Sequence, residues 1–380
     1  MDALSRITTA TEAMAQAPTV VVKVGSALLV DEDGSIRREW MSALVDDLAG
    51  LVKSGRRVVL VSSGAIRVGL RLQNRTPLQL GLDEKQAAAA LGQIRLAEAY
   101  ADSFAERNLN VGQILLTQED TENRRRYLNA RATLNRLLDW GTVPLVNEND
   151  TVATAEIRFG DNDRLAARVG GMVGADLLVL LSDIDGLYTG NPKINPVAEH
   201  MALVTGGITP KIEAMAGEEA NAYANGGMVT KLAAAKIALG AGCAMVIADG
   251  RVLNPLQALL DGGKATLFKP TETRHSAREA WLLGALSGDG ALTLDDGAAQ
   301  AVQAGKSLLP AGVVRVHGDF ERGDTVRLSR PDGTDIGRGI AAYGSREARL
   351  IAGKRSADIT TILDENRGPN LIHADDLALF

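Results

Sequence analysis

The chain has 380 residues, a formal net charge of -6, and 46% hydrophobic against 23% charged residues. That balance excludes a disordered chain and leaves room for two or three domains with full cores. An acidic total with 3% aromatics excludes a general electrostatic nucleic-acid binder and a surface built on base stacking.

The opening segment MDALSRITTATEAMAQAP (1–18) lacks the apolar stretch of a signal peptide. Residues 1–17 read as a flexible extension ahead of the first strand. From Thr19 to about Gly250 apolar runs alternate with helical patterns. The runs are TVVVKV (19–24), RVVLV (57–61), VGQILL (111–116), TVPLV (142–146), DLLVLL (176–181) and AMVIA (244–248). Uninterrupted apolar strands suit a sheet covered on both faces. Helices are predicted near 37–54, 84–107, 120–139, 162–173 and 229–240. In the third of these, Leu128, Leu134, Leu137 and Leu138 form a core-facing stripe. The alternation predicts an α/β fold, a three-layer sandwich around a mostly parallel sheet.

Residues 260–286 read as a final strand, a helix and a junction. After about Gly288 the texture changes to short alternating runs, VVRV (313–316) and DTVRL (324–328), separated by turn signals. This predicts a small β-barrel-like module over 288–370, a tail over 371–380, and a larger domain over 18–287. Residues 300–380 hold 11 Lys or Arg and 11 Asp or Glu, so the module is neutral and the acidity lies ahead of it.

One cysteine, Cys243, excludes a disulfide framework and a multi-cysteine metal site. The histidines at 200, 275, 317 and 373 are scattered and lack helical ligand spacing. No run reaches the roughly 18 apolar residues of a membrane span. The expected location is the cytoplasm.

Neither a Walker P-loop nor a G-x-G-x-x-G fingerprint occurs. Ligands of open α/β sheets bind beyond the carboxyl ends of the strands, so the residues there carry the reading. They are Lys23 to Ser26, Ser62 to Ala65, Asn147 to Asp150, and Ser182-Asp183 followed by Gly186 to Thr189. Lys23 reads either as a snorkelling lysine or as a cation aimed at phosphate, with Gly25 allowing close backbone approach. Ser63-Gly64 reads as a plain turn or as an anion-facing pair of N–H groups. Gly160 to Asp163 contains an N-cap, but one cap does not explain the whole polar cluster. A calcium loop would need further EF-hand spacing that is missing. Asn225 to Lys231 opens a helix with two glycines and a first-turn lysine. That suits an anion at the helix N-terminus, against the plain alternative of an exposed lysine.

Together these residues resemble the amino acid kinase family, and within it the branch that phosphorylates glutamate. The matching segments are VVKVGSALL (21–29), VSSGAI (61–66), LNARATL (128–134), VPLVNENDTVATAEIRFGDND (143–163), GLYTGNP (186–192) and GGMVTK (226–231). The resemblance covers about residues 18–370. The C-terminal part resembles the PUA domain appended to bacterial members.

The resemblance implies ATP- and Mg2+-dependent phosphorylation of the γ-carboxylate of L-glutamate, which commits it to proline synthesis. It implies Lys23 and Lys231 on the phosphates, with Asp163 organising them. It implies Ser63, Asp150, Asn162 and Asn147 on the glutamate. On the ATP it implies Lys23, Gly25, Ser182, Asp183, and Asn225, Gly226, Gly227, Met228, Val229, Thr230 and Lys231. No residue is assigned to hold the metal, which arrives on ATP. Two positions depart from the usual pattern: Asn225 replaces a Thr, and Ser182 stands where Thr is common. Within the substrate, Asp150 suits the α-ammonium, and Asn162 with backbone N–H groups suits the α-carboxylate. The family also implies feedback inhibition by proline, a dimer or tetramer, and contact with the reductase that consumes glutamyl 5-phosphate. Other PUA modules bind RNA, but a neutral module argues against RNA binding as this chain's main role. A relative acting on another carboxylate is the remaining alternative.

Overall fold

The structure, a computed structural model, describes residues 7–75, 80–153, 162–192, 194–216, 227–271, 290–364 and 368–380. The chain divides into two compact units, Met1–Arg274 and His275–Phe380. The predicted junction near 287 falls outside the described residues.

The first unit is built on strands β1 (Thr19–Val24), β2 (Arg57–Ser62), β3 (Val111–Leu116), β4 (Val143–Glu148) and β5 (Leu177–Ser182). Two short strands, β6 (Leu187–Tyr188) and β7 (His200–Met201), form a separate antiparallel pair. They are followed by β8 (Leu203–Val204), β9 (Ala244–Asp249) and β10 (Ala265–Phe268). Eight strands form one sheet in the order β3-β4-β2-β1-β5-β9-β10-β8. The first six run parallel, and β10 turns antiparallel to β9. Chain order reverses across the β1/β5 pair, where α/β sheets open a crevice at the carboxyl ends of their strands.

The β-branched stretch of β1 is buried along its whole length. Its alternate residues feed two different cores. Val20, Val22 and Val24 join one cluster, and Val21 joins the other. The first face is covered by α1 (Ala10–Gln16), α3 (Arg38–Lys53), α5 (Leu82–Ala105) and α11 (Pro255–Leu260). The second is covered by α7 (Arg124–Asp139), α8 (Asn162–Val173) and α10 (Met228–Gly240). The predicted three-layer sandwich is therefore present. Period-two alternation puts Lys23 on the face of α8 and α10.

Two local expectations change. Residues 10–16, expected to fray, form α1, capped by Thr9 and Glu12 in a reciprocal capping box. Met14 is fully buried, and Arg56 donates to the Met14 and Ala15 carbonyls at 2.7 Å. The helix expected over 120–139 is two helices, α6 (Gln118–Glu122) and α7. Asn123 adopts an extended backbone between them and caps α7 by accepting from Arg126 N–H at 3.2 Å. Of the predicted stripe, Leu134 and Leu138 are buried, while Leu128 and Leu137 are half-buried.

The second unit carries a five-stranded mixed sheet. Its strands are β11 (Ala291–Leu294), β12 (Val313–His317), β13 (Thr325–Ser329), β14 (Asp335–Ile340) and β15 (Leu377–Leu379). Their order is β12-β11-β13-β14-β15. Leu292, Val326, Leu328 and Tyr343 anchor a core of its own, to which helix Ser345–Ile351 adds Ala348 and Ile351.

Candidate active site

The carboxyl ends of β4, β2, β1 and β5 lie side by side, and the helices that cover them begin there. Lys23 is the fifth residue of β1, one step before the strand ends. Asp163 sits in the first turn of α8, where a carboxylate suits the helix dipole. Lys231 sits in the first turn of α10, against that preference. The fold brings the three together. Lys23 Nζ lies 2.6 Å from Asp163 Oδ1, and Lys231 Nζ lies 3.6 Å from Asp163 Oδ2. The Thr230 hydroxyl lies 3.1 Å from Asp163 Oδ2 and 2.7 Å from the Gly227 carbonyl.

All three charges are buried, with Asp163 at 0% exposure. Burial pushes the Asp163 carboxyl up, but Lys23 and Lys231 outweigh it, and the net shift is downward. Asp163 is therefore ionised at neutral pH. Among the described residues, one carboxylate then faces two ammonium groups, a positive excess within that cluster. Buried ion groups of this kind are costly to desolvate. An anionic ligand is the partner that the excess of charge fits.

Around this centre the backbone is shaped for close approach. A Cβ on Gly25 would lie 3.9 Å from Lys23 Nζ, beside the ammonium. Gly64 precedes α4 (Ala65–Leu72) with φ +111, and a Cβ there would meet Val30 Cγ2 at 2.9 Å. Only glycine fits that turn, which carries Ser63 into the site. On the β5 side, Ser182 is buried and donates to Asp183 Oδ1 at 3.2 Å. The loop beyond it is tied down by Thr266, which accepts from Leu187 N–H at 2.7 Å and donates to the Met201 carbonyl at 2.6 Å. Gly227, Met228 and Val229 open α10 with no side-chain cap among the described residues, which leaves its first N–H groups without an intrahelical acceptor. Asn225 and Gly226 lie outside the described residues, as do residues 154–161.

The polar residues after β2 and β4 form a second, adjoining group. Asn162 Nδ2 lies 3.0 Å from the Ser62 carbonyl, 2.7 Å from Ser63 Oγ and 2.9 Å from Asn147 Oδ1. Asn147 donates to Gln93 Oε1 at 2.6 Å. Asp150 lies a few residues on, at the rim of a cavity of about 220 Å3 shared with Gln93, Gln113 and Glu148. Burial raises the Asp150 carboxyl to about 6. A carboxyl so disfavoured as an anion suits a site awaiting a cation. Asn162, expected to serve the α-carboxylate, has its amide engaged within the protein. Its N–H groups are occupied by protein acceptors, and its Oδ1 is buried with no partner among the described residues.

Two contributors escape a motif search. Gln93 lies on the buried side of the Ala-rich α5, and its polarity there was the only signal. Tyr100, also on α5, is fully buried, with its hydroxyl 3.1 Å from Ser62 Oγ. Among the described residues no group of three or more His, Cys, Asp or Glu side chains is placed to hold a metal.

Residues 18–249 match the amino acid kinase family, and residues 290–363 match the PUA domain. The chain belongs to the amino acid kinase family. Among its relatives is the Glutamate 5-kinase of Rhodospirillum rubrum, 54% identical over 360 residues, covering 94% of this chain and 96% of that protein. The Glutamate 5-kinase of Paramagnetospirillum magneticum is 52% identical over 367 residues, covering 96% and 99%. That of Jannaschia sp. is 54% identical over 364 residues, covering 96% and 98%. The Lys23–Asp163–Lys231 cluster and the amide group beside it both lie inside the region that matches the kinase family.

Proposed function

We propose that this chain transfers the γ-phosphoryl group of ATP to the γ-carboxylate of L-glutamate, the first step toward proline. The observation that carries the reading is identity above 50% with Glutamate 5-kinases across nearly the whole length of both chains. The site chemistry agrees. A glutamate side chain has a reference pKa of about 4.3 and arrives ionised at neutral pH. It needs no general base, which suits a centre of lysines without a histidine. One γ-carboxylate oxygen bonds to the γ-phosphorus, the bond to the bridging oxygen breaks, and ADP leaves with that electron pair.

What such a transfer needs is in-line alignment and neutralisation of spreading negative charge. Lys23 and Lys231 supply the charge, and Asp163 holds the two ammonium groups in place. Gly25, Gly227 and the start of α10, with Ser182 and Asp183, take the nucleotide side. Ser63, Asn147, Asp150 and Asn162 take the amino acid. Mg2+ carried on ATP would add positive charge at its phosphates.

Incubation with Mg-ATP, a panel of carboxylic amino acids and hydroxylamine tests the reading, because hydroxylamine traps acyl phosphates as hydroxamates. Signal with glutamate alone supports it, and signal only with another acid would replace the substrate. Proline is proposed to compete in the glutamate pocket near Asp150. Inhibition noncompetitive with glutamate would sink that placement. Assembly as a dimer or tetramer, a cytoplasmic location and contact with the reductase belong to the same reading. The C-terminal module is proposed to tune the kinase rather than to bind RNA, and a salt-dependent RNA titration separates the two.

A further inference from the structure

Three side-chain amides run in series from α5 to α8, and two backbone groups fix how each one faces. Asn147 Oδ1 accepts from Glu148 N–H at 2.9 Å. A backbone N–H can only donate, so the Asn147 oxygen must face it, which leaves Asn147 Nδ2 for Gln93. Gln93 therefore presents Oε1 to Asn147, at 2.6 Å. At the other end, Asn162 Nδ2 meets the Ser62 carbonyl, which can only accept. It also meets Asn147 Oδ1, already set as an acceptor. Both ends thus require the same orientation of Asn162. Its two N–H bonds are shared among three protein acceptors, and its Oδ1 remains buried and unpartnered among the described residues. A buried unpartnered amide oxygen costs free energy until a donor reaches it.

We propose that Gln93 is a positioning residue for the amino-acid substrate: through Asn147 it fixes Asn162 with its oxygen kept for the substrate's α-ammonium. The assignment rests on the reading that the substrate is glutamate. It gives Asn162 the same partner as Asp150 and leaves the α-carboxylate to other donors. Gln93 is suited to the task by burial, at 9% exposure, and by its place on the long helix α5. Without its acceptor, Asn147 Nδ2 loses its partner among the described residues. The Asn147 amide is then held through its Oδ1 bonds alone, and the Asn162 orientation is less firmly supported.

Steady-state kinetics with glutamate and ATP test this on the full chain. Q93M keeps the volume and removes the acceptor. It is expected to raise KM for glutamate about tenfold, the worth of one hydrogen bond in a binding site, with KM for ATP within about twofold. Q93E keeps an acceptor for Asn147 and is expected to recover most of that loss. An unchanged KM for glutamate in Q93M overturns the proposal, as does an equal rise in KM for ATP. If Q93M does not fold, Q93E decides alone: a tenfold rise in its KM for glutamate overturns the proposal, and a value within about threefold of wild type supports it. A wild-type chain that yields no hydroxamate from glutamate overturns the substrate reading and this assignment together, whereas wild-type activity with an indifferent Q93M overturns only the assignment.

Discussion

Asp163 keeps two buried lysines from facing each other without a counter-charge. Replacing it with Asn leaves both cations without their carboxylate. D163N is expected to lower kcat by at least about a hundredfold, because the cations proposed to stabilise the transferring phosphoryl group lose their alignment. K231A is expected to act mainly on kcat, with KM for glutamate little changed. A normal kcat in that variant removes Lys231 from the phosphoryl site. Asp150 gives the site a pH dependence. Its carboxyl is raised to about 6, so the free enzyme holds it increasingly protonated below that pH. An ammonium partner favours the ionised form, so binding must displace the proton. KM for glutamate is expected to climb about tenfold per unit as pH falls below about 6, while KM for ATP stays level. The sign reverses for stability: the buried carboxylate loses stability for the free enzyme as pH rises through about 6. A flat KM profile between pH 5 and 7 would remove Asp150 from the ammonium. Lys23 and Lys231 were legible as residues because each breaks a local preference, a charge inside an apolar strand and a cation on a helix N-terminus. The orientation of Asn162 was not, because it depends on Gln93, 69 positions away in sequence on another helix.

At the scale of elements, the β1 run was readable because a strand buried on both faces shows no polar alternation, apart from Lys23 itself. The two-helix break at Asn123 was harder to see. The polar run from Thr117 to Arg126 carries no leucine to mark where one helix ends, and the interruption is a capping choice at Asn123. Residues 10–16 misled for a related reason: their Ala-rich composition hides a packed face. That face predicts a clear outcome. Removing residues 1–16 strips Met14 and Ala13 from the core of the first face and is expected to cost roughly 3 kcal/mol or more. A melting temperature unchanged by the truncation would return the segment to the status of a loose extension. The turn before α4 makes a second test. G64A must hold φ near +111 and push its Cβ against Val30. A loss of about 1–3 kcal/mol is expected, and displaced Ser63 should raise KM for glutamate. Denaturant titration and kinetics on the same sample check both.

At the scale of the whole chain, two units carry separate cores, and the change of texture after about Gly288 pointed to a second module without placing where the first unit ends. The module's sheet was also visible in its short alternating runs, whereas its strand order was not. Pairing β11 with both β12 and β13 is set by tertiary contacts that no local period encodes. Because Leu292, Val326 and Tyr343 complete a core within 290–380, that segment expressed alone is expected to unfold in one cooperative transition. A broad, non-cooperative melt would mean that its core is completed elsewhere.

The spacing of Lys23, Asp163 and Lys231 along the chain also bears on when the enzyme becomes active during its own synthesis. The proposed phosphate centre spans 208 positions, and its last member opens α10. A chain still on the ribosome can pair β1 with β2 early, yet it has no second lysine until α10 has emerged. Contacts of this range form late, after the closer pairings have closed the loops between them. Phosphate binding is therefore expected to appear abruptly with chain length, between nascent fragments that end before and after β9. Through most of elongation, the growing sheet holds Lys23 with no competence to bind ATP.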